Sequence, residues 1–339
     1  MNSATSTAAP AATPGPPPYP ARRRRAAAWL VTLLLLLPTA AAACRLADTD
    51  AVTPVTQLLA FLPWLLIPAG VALLLAALAR LRTGMVWAVA VLAVTGWFVR
   101  PYDTGLTEHP KGPVVARLTV LSSNVEFGNA TPDLLATIRR EQPDLVFVQE
   151  CAARCSDALA AEVSTADYPY RNIVEGESAS GSAILSRLPL KAAPGIASTL
   201  AMPGSVALAG ERRIHVQLAH PLPPVPGGVD DWRRELGRLR TYADGVKGSS
   251  AIVAGDFNAT QDHAAFRRIL DAGGLRDGAT LGGASRAPSW PAAVRAPLGA
   301  QIDHVLVSED FSVRAARFLD LDDTDHRSLL VRLELHDVR

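Results

Sequence analysis

Residues 114–150 read VVARLTVLSSNVEFGNATPDLLATIRREQPDLVFVQE, and this stretch decides the architecture. Val114–Leu121 is a run of β-branched and apolar residues that predicts a strand. Thr131-Pro132-Asp133 then opens a helix over Asp133–Glu141, with Thr131 placed to cap it and Pro132 suited to its first turn. Leu145–Val148, behind Pro143-Asp144, predicts a short buried strand. Both strands run out into polar residues, Ser122-Ser123-Asn124 after the first and Gln149-Glu150 after the second. Strand ends are where a sheet can present side chains to one common cleft.

The same grammar continues toward the C-terminus. Ala183–Ser186, Ile214–Leu218, Ala251–Ala254, His304–Val307 and Leu329–Leu335 read as strands, and Trp232–Val246 and His263–Asp271 as helices. Further polar clusters stand at the strand ends: His220, Gly255-Asp256-Phe257-Asn258, Ile302-Asp303 and Thr324-Asp325-His326. Together the clusters hold carboxylates, amides and two histidines, with no nucleophilic serine or cysteine motif. That chemistry suits a divalent metal and a phosphate ester. Residues 114–339 make one domain of alternating strands and helices, large enough for a sizeable core.

In this order the clusters resemble the motifs of the endonuclease/exonuclease/phosphatase superfamily, the DNase I-like group of metal-dependent hydrolases. The resemblance covers essentially residues 114–337 and rests on five motifs in sequence, since a lone Gly-Asp-Phe-Asn or Asp-His is weak. It implies an α+β fold, a four-layer αββα sandwich with active-site residues at one edge, and a Mg²⁺ (or Mn²⁺) cofactor. It implies Glu150 as a metal ligand, with Asn124 positioning metal or phosphate and Asp325 as a second metal contact. Asp256 would take a proton from the attacking water, and Asn258 would donate to a phosphoryl oxygen. His326 would act as base or electrostatic stabiliser, oriented by Asp303, and His220 would contact phosphate. Arg187, after the Ser182–Ser186 run, is a further candidate phosphate contact.

Elementary chemistry supports parts of this. A carboxylate ending a buried strand, as Glu150 does, needs a counterion. Gly255 lets the backbone turn tightly beside a ligand. Histidine exchanges protons near neutrality, and a carboxylate at its second nitrogen fixes its tautomer. Singly, the same residues also read as ordinary Asx turns, solvated strand-end histidines or surface ion pairs. His215 and His304 read as structural and His263 as helical surface.

Ahead of this domain the composition changes. Residues 1–25 read as a disordered tail of Ala, Pro, Ser and Thr that ends in Arg22–Arg25. Residues 26–100 hold three apolar stretches, Ala26–Cys44, Val55–Ala79 and Gly84–Val99, and 101–113 form a turn-rich linker. A membrane helix takes about 20 mostly apolar residues, so the first two stretches qualify and the third needs its flanks or local thinning. The first also has the outline of a secretory leader, a basic flank and then Ala-Ala-Ala before Cys44, but two more stretches follow it directly. Three membrane-spanning helices are therefore expected. Arg22–Arg25, Arg80 and Arg82 belong on the cytoplasmic side, which places everything after Val99 outside the cell. The inverted topology would leave two basic loops on the wrong side.

Three helices before such a domain resemble the VanJ-type membrane proteins linked to teicoplanin resistance. That implies a lipid-linked phosphate or pyrophosphate substrate, with the bilayer itself as partner and no protein partner. The 49% hydrophobic content and mean hydropathy of +0.18 fit a chain partly in lipid. A net charge of +1 gives no argument for nucleic acid, although a surface nuclease stays the alternative enzyme and an idle binding or sensing domain the alternative class. Three cysteines exclude a disulfide framework, while Cys151 and Cys155, four apart, sit near the limit of bridging geometry on a helix. A reporter enzyme fused after Arg339 is expected to work only when exported; activity confined to the cytoplasm would overturn the topology.

Overall fold

The computed structural model describes residues 21–107, 109–294 and 298–338. Residues 1–20 of the expected tail lie outside them, and Arg22–Arg25, expected to end the tail, are helical instead.

Two six-stranded sheets form the body of the molecule. The first orders β11(Phe311–Leu319), β12(Ser328–His336), β1(Val114–Asn124), β2(Leu145–Gln149), β4(Ser182–Ser186) and β3(Tyr170–Val174). The second orders β5(Leu190–Ile196), β6(Met202–Ala209), β7(Arg212–Ala219), β8(Ala251–Asp256), β10(Asp303–Ser308) and β9(Leu275–Asp277). Side chains alternate across each strand. Val120, Phe147 and Ile184 therefore meet Ile214, Val216, Ile252 and Val305 between the sheets. Their neighbours Leu121, Val146, Val148 and Leu185 face outward under α5(Thr131–Glu141) and α6(Ala153–Glu162). On the other side Ala251, Val253 and Leu306 are covered by α7(Val229–Gly245) and α8(Ala264–Gly273) through Trp232, Leu236, Phe266 and Ile269. Helix, sheet, sheet, helix is the expected four-layer order.

Pairing brings the polar strand ends to one edge. β1 and β2 run parallel, with Asn124 opposite Gln149, and β7 and β8 run parallel, with Ala219 opposite Gly255. β10 and β12 are antiparallel to β8 and β1, so their starts, at Asp303 and just past His326, return to the same edge. Gly255 holds φ 154°, and a Cβ there would lie 1.9 Å from the Ala219 carbonyl oxygen, so that close approach needs glycine. The first helix begins at Thr131, whose hydroxyl donates to the Gly128 carbonyl rather than capping the helix.

The apolar N-terminal stretches differ from expectation. α1(Ala21–Leu46) contains a 25-residue apolar span, among the described residues the one helix long enough to cross a membrane. The second stretch breaks into α2(Val55–Ala60), a 3₁₀ turn over Leu62–Leu65 and α3(Leu66–Leu78). Pro63 sits in that turn and lacks the N–H that a continuous helix would use. α4(Arg82–Phe98) has 17 residues, about 25 Å at 1.5 Å per residue, against roughly 30 Å of hydrocarbon. The helices pack through small residues, Ala69, Ala72, Ala76 and Ala88. Large apolar side chains such as Trp29, Leu33, Leu74, Val86 and Trp97 point outward.

One end of this unit docks on the two-sheet domain. Arg45 pairs with buried Asp262, Asp48 pairs with Arg267 and Arg268, and Asp50 accepts from the Ala264 and Ala265 amides that open α8. His263, expected on a helix surface, is buried here: Nδ1 accepts from the Thr260 amide, Nε2 meets the Thr56 carbonyl at 2.9 Å, and Trp232 packs edge-on.

A buried polar node fixes β9 to β10. The Asp277 carboxylate caps Thr280 and meets His304 Nδ1 at 3.2 Å, and His304 is structural as read. Burial opposes ionisation of Asp277, but His304 and Thr280 outweigh it and hold the group below the ordinary carboxylate range. Its contribution is then complete above the unfolded value of about 3.9 and is lost as the pH falls through the lower folded value. Asp277→Asn should cost about 1–3 kcal/mol near neutrality. Denaturant unfolding across a pH series should show that difference shrinking below about pH 4.

Candidate active site

Asn124, at the end of β1, is buried, and its side chain links three neighbours. Nδ2 lies 3.2 Å from Glu150 Oε1 and 3.3 Å from Asp256 Oδ2, and Oδ1 accepts from the Glu126 amide at 3.0 Å. Glu150 follows β2 with φ 56°, a left-handed conformation costly for a non-glycine residue. That turn brings its carboxylate back over the sheet edge, where Oε2 accepts from the Phe127 amide at 3.1 Å. Burial pushes Glu150 up despite these donors.

Asp256 ends β8. Its Oδ1 accepts from the Asn258 amide at 2.8 Å and its Oδ2 lies 3.7 Å from His326 Nε2. Opposite Asp256 in register is Asp303, whose Oδ2 is 2.9 Å from His326 Nδ1 and whose Oδ1 is buried without a hydrogen-bond partner. With Nδ1–H assigned to Asp303, Nε2 of His326 faces Asp256 and also Asp325 Oδ1, 3.7 Å away. Burial would lower His326, but Asp303 and Asp256 outweigh it and raise the imidazole to about 10. Burial likewise drives Asp256 up, to about 7, against the pull of His326. His220, after β7, is buried with Nε2 3.8 Å from Glu150 Oε1, and burial with the nearby His326 charge lowers it to about 3. The two histidines therefore differ in charge, His220 neutral and His326 an imidazolium.

The edge thus collects Asn124, Glu150, His220, Asp256, Asp303, Asp325 and His326. Asn258 adjoins it at φ 48°, with Nδ2 donating to the Pro221 carbonyl at 3.0 Å, so its side chain holds the turn after β8. Arg187 is not part of the group. β4 runs antiparallel to β2, with Ser182 beside Gln149 and Ser186 beside Leu145. Arg187 therefore emerges at the far end of the sheet, about 16 Å away at 3.3 Å per residue, where it donates to the Gln142 carbonyl.

A divalent cation fits this donor set. Four carboxylates face two imidazoles of which one is neutral, Asp303 Oδ1 lacks a partner, and hard oxygen donors dominate. Ligand atoms of Asp256, Asp303 and His326 lie within 4.8 Å of one another. The expected set of Glu150, Asn124 and Asp325 overlaps this group only through shared contacts. Asp303 occupies His326 Nδ1, while Glu150 and Asp256, joined by the Asn124 amide, present the oxygen donors that a hard cation prefers. Asp325 gives Oδ2 to the Trp290 indole N–H at 2.8 Å.

Sequence reasoning missed Trp290, Ser289 and Glu126. Ser289 Oγ accepts from the Ile302 and Asp303 amides at 2.9 and 3.0 Å, and Glu126 accepts from the Asp325 amide at 2.8 Å. Trp-Pro at 290–291, in a stretch without periodicity, was the available signal. In metal-free protein the His326 ring should stay an imidazolium until about pH 10. Nitrogen-15 NMR, assigned with His326→Gln, should show Asp303→Asn titrating at lower pH.

Comparisons with known proteins agree with the geometry. The profile of the endonuclease/exonuclease/phosphatase family matches residues 121–326. A comparison with curated proteins gave no match. Among solved structures, D. rerio TDP2 complexed with a single-strand DNA product superposes with a TM-score of 0.52 at 14% identity, covering 64% of this chain and 99% of that one. D. rerio TDP2 humanized by 14 mutations gives 0.52 and 14%, covering 64% and 98%. An endonuclease/exonuclease/phosphatase from Beutenbergia cavernae DSM 12333 gives 0.49 and 19%, covering 66% and 72%. At such identities the two TDP2 structures speak to the fold alone. With the family profile spanning both sheets and the polar edge between them, the chain belongs to the endonuclease/exonuclease/phosphatase family, whose members are phosphoester hydrolases.

Proposed function

We propose that the protein is a membrane-held, Mg²⁺- or Mn²⁺-dependent phosphohydrolase that works outside the cell on a lipid-linked phosphate or pyrophosphate. The observation that carries the chemistry is the Asn124 amide shared between Glu150 and Asp256, beside a His326–Asp303 pair.

Glu150 and Asp256, with Asn124 beside them, would hold the metal, which when bound neutralises phosphoryl charge and polarises the ester. Asp256, 3.7 Å from His326 Nε2, takes the proton of the attacking water. His326, held by Asp303 at Nδ1, offers Nε2–H to phosphoryl oxygens as an electrostatic stabiliser. Asp303 orients that ring. His220, neutral, donates a hydrogen bond to the phosphate without adding charge. Water attacks in line, and no covalent enzyme intermediate is required.

Membrane residence rests on the outward-facing apolar side chains of the N-terminal unit and its small-residue interior, an arrangement suited to lipid rather than water. The polarity supports three crossings. Arg24 bonds the Arg80 carbonyl at one end, while Arg45, Phe98 and Val99 meet the catalytic layers at the other. α2 then belongs to the domain side, and Leu62–Leu78, 17 residues, would span with local thinning. The Cys151–Cys155 disulfide fits an oxidising compartment. A surface nuclease is the second reading, favoured by the DNA product held by the D. rerio neighbour and disfavoured by a net charge of +1.

A substrate panel on full-length protein in detergent decides between them. Lipid pyrophosphates or phospholipids should be cleaved with Mg²⁺, not with EDTA, and plasmid DNA left intact. Asp256→Asn and His326→Gln should each lower kcat by about 10²–10⁴-fold. Cleavage of DNA alone would establish the nuclease, and unchanged rates in both variants would refute the assigned roles.

A further inference from the structure

Residues 286–294 touch both the apolar helical unit and the catalytic edge. On the helical side, Arg286 donates to the Phe98 and Val99 carbonyls, each at 2.7 Å, and its guanidinium is held from within the domain by Asp262 at 2.6 Å. The Phe61 ring, at the break in the second apolar stretch, packs on Trp290 with centroids 6.4 Å apart. On the catalytic side, Trp290 donates to Asp325, the Ala292 amide donates to the Asp325 carbonyl at 2.7 Å, and the Arg327 amide donates to the Ser289 carbonyl at 2.7 Å. Ser289 Oγ also holds the Asp303 amide. Asp325, His326 and Asp303 are thus gripped by a segment whose other side rests on the ends of two apolar helices. The segment has no regular secondary structure of its own beyond a bridge from Trp290 to Ala300, so its shape depends on those two sets of contacts.

We infer that the helical unit is part of the active-site scaffold as well as an anchor, and that Phe61 is a positioning residue acting through Trp290 on Asp325 and His326. This rests on the phosphohydrolase reading only for its kinetic test. Docked helices hold the Trp290 indole against Asp325; with the Phe61 ring removed, the indole gains room to rotate and the Asp325–His326 turn loosens. The helix break then has a use, because an unbroken helix would carry Phe61 past the indole. The occurrence of Pro63 two residues later places the break where the ring is needed.

The test uses full-length protein in detergent and a small soluble diester, bis-p-nitrophenyl phosphate, so that lipid presentation plays no part. Phe61→Ala should lower kcat about tenfold with KM nearly unchanged, since ångström-scale misplacement of a catalytic group can cost up to ~100-fold. Phe61→Tyr, which keeps a ring, should retain the wild-type rate. Hydrogen exchange should quicken at the Ala292 and Arg327 amides in Phe61→Ala. Arg286→Lys, which loses the paired donors but keeps the charge, should act in the same direction and serves if Phe61→Ala does not fold. Wild-type kcat and wild-type exchange in a folded Phe61→Ala protein would overturn the inference. A wild-type protein inert toward every phosphate substrate would overturn the hydrolase reading instead, leaving hydrogen exchange to decide the coupling.

Discussion

One amide group joins the two halves of the active site. Asn124 stands on the first sheet and donates to Glu150 of the same sheet and to Asp256 of the second. A buried carboxylate and a partly buried one, held by one neutral amide, repel each other, and positive charge from elsewhere steadies that arrangement. His326, just ahead of β12 of the first sheet, supplies part of it by reaching Asp256 and Asp303 of the second. The remainder is the demand that a divalent cation meets. Fold and chemistry are thereby linked: the distance between the sheets sets the distance between the carboxylates, and the packing of Val120 and Phe147 against Val216 and Val305 sets the distance between the sheets.

The two active-site histidines show how one edge produces opposite charge states. Both are buried, and burial alone would neutralise both. His326 has Asp303 within hydrogen-bond reach and two further carboxylates 3.7 Å from its other nitrogen. His220 has one carboxylate at 3.8 Å and the positive ring of His326 nearby. The count of facing carboxylates decides the outcome. The division of labour proposed for the two rings follows from the carboxylates that each one faces, not from any difference in residue type.

Much of this edge was legible because polar residues at the ends of buried strands have few structural reasons to be there. Asn124, Glu150, Asp256, Asp303 and His326 stood out against apolar runs, and pairing of those runs brought them together. Strand direction was not legible, and that explains Arg187: a residue after a strand lies at the active edge only if the strand runs toward it, and β4 runs away. β3, β5 and β11 escaped notice because they are edge strands with half-exposed, weakly alternating residues. His263 looked like helix surface because the apolar unit that buries it lies more than 200 residues earlier in the chain. Trp290 and Ser289 carry no period, since their segment takes its shape from what it touches.

The same contacts bear on where the catalytic edge lies. Phe61 belongs to the break in an apolar helix and Asp325 to the active site, and Trp290 touches both. A single side chain therefore separates the end of the helical unit from the reacting centre. If the outward-facing Leu33, Leu74 and Val86 mark depth in a bilayer, the catalytic edge sits close to its outer surface. A phosphate carried on a lipid would meet that edge without leaving the headgroup layer. A long polyanionic duplex would find little to attract it in a protein of near-zero net charge. Placement, more than any residue in the catalytic set, is what weighs toward a lipid-linked substrate.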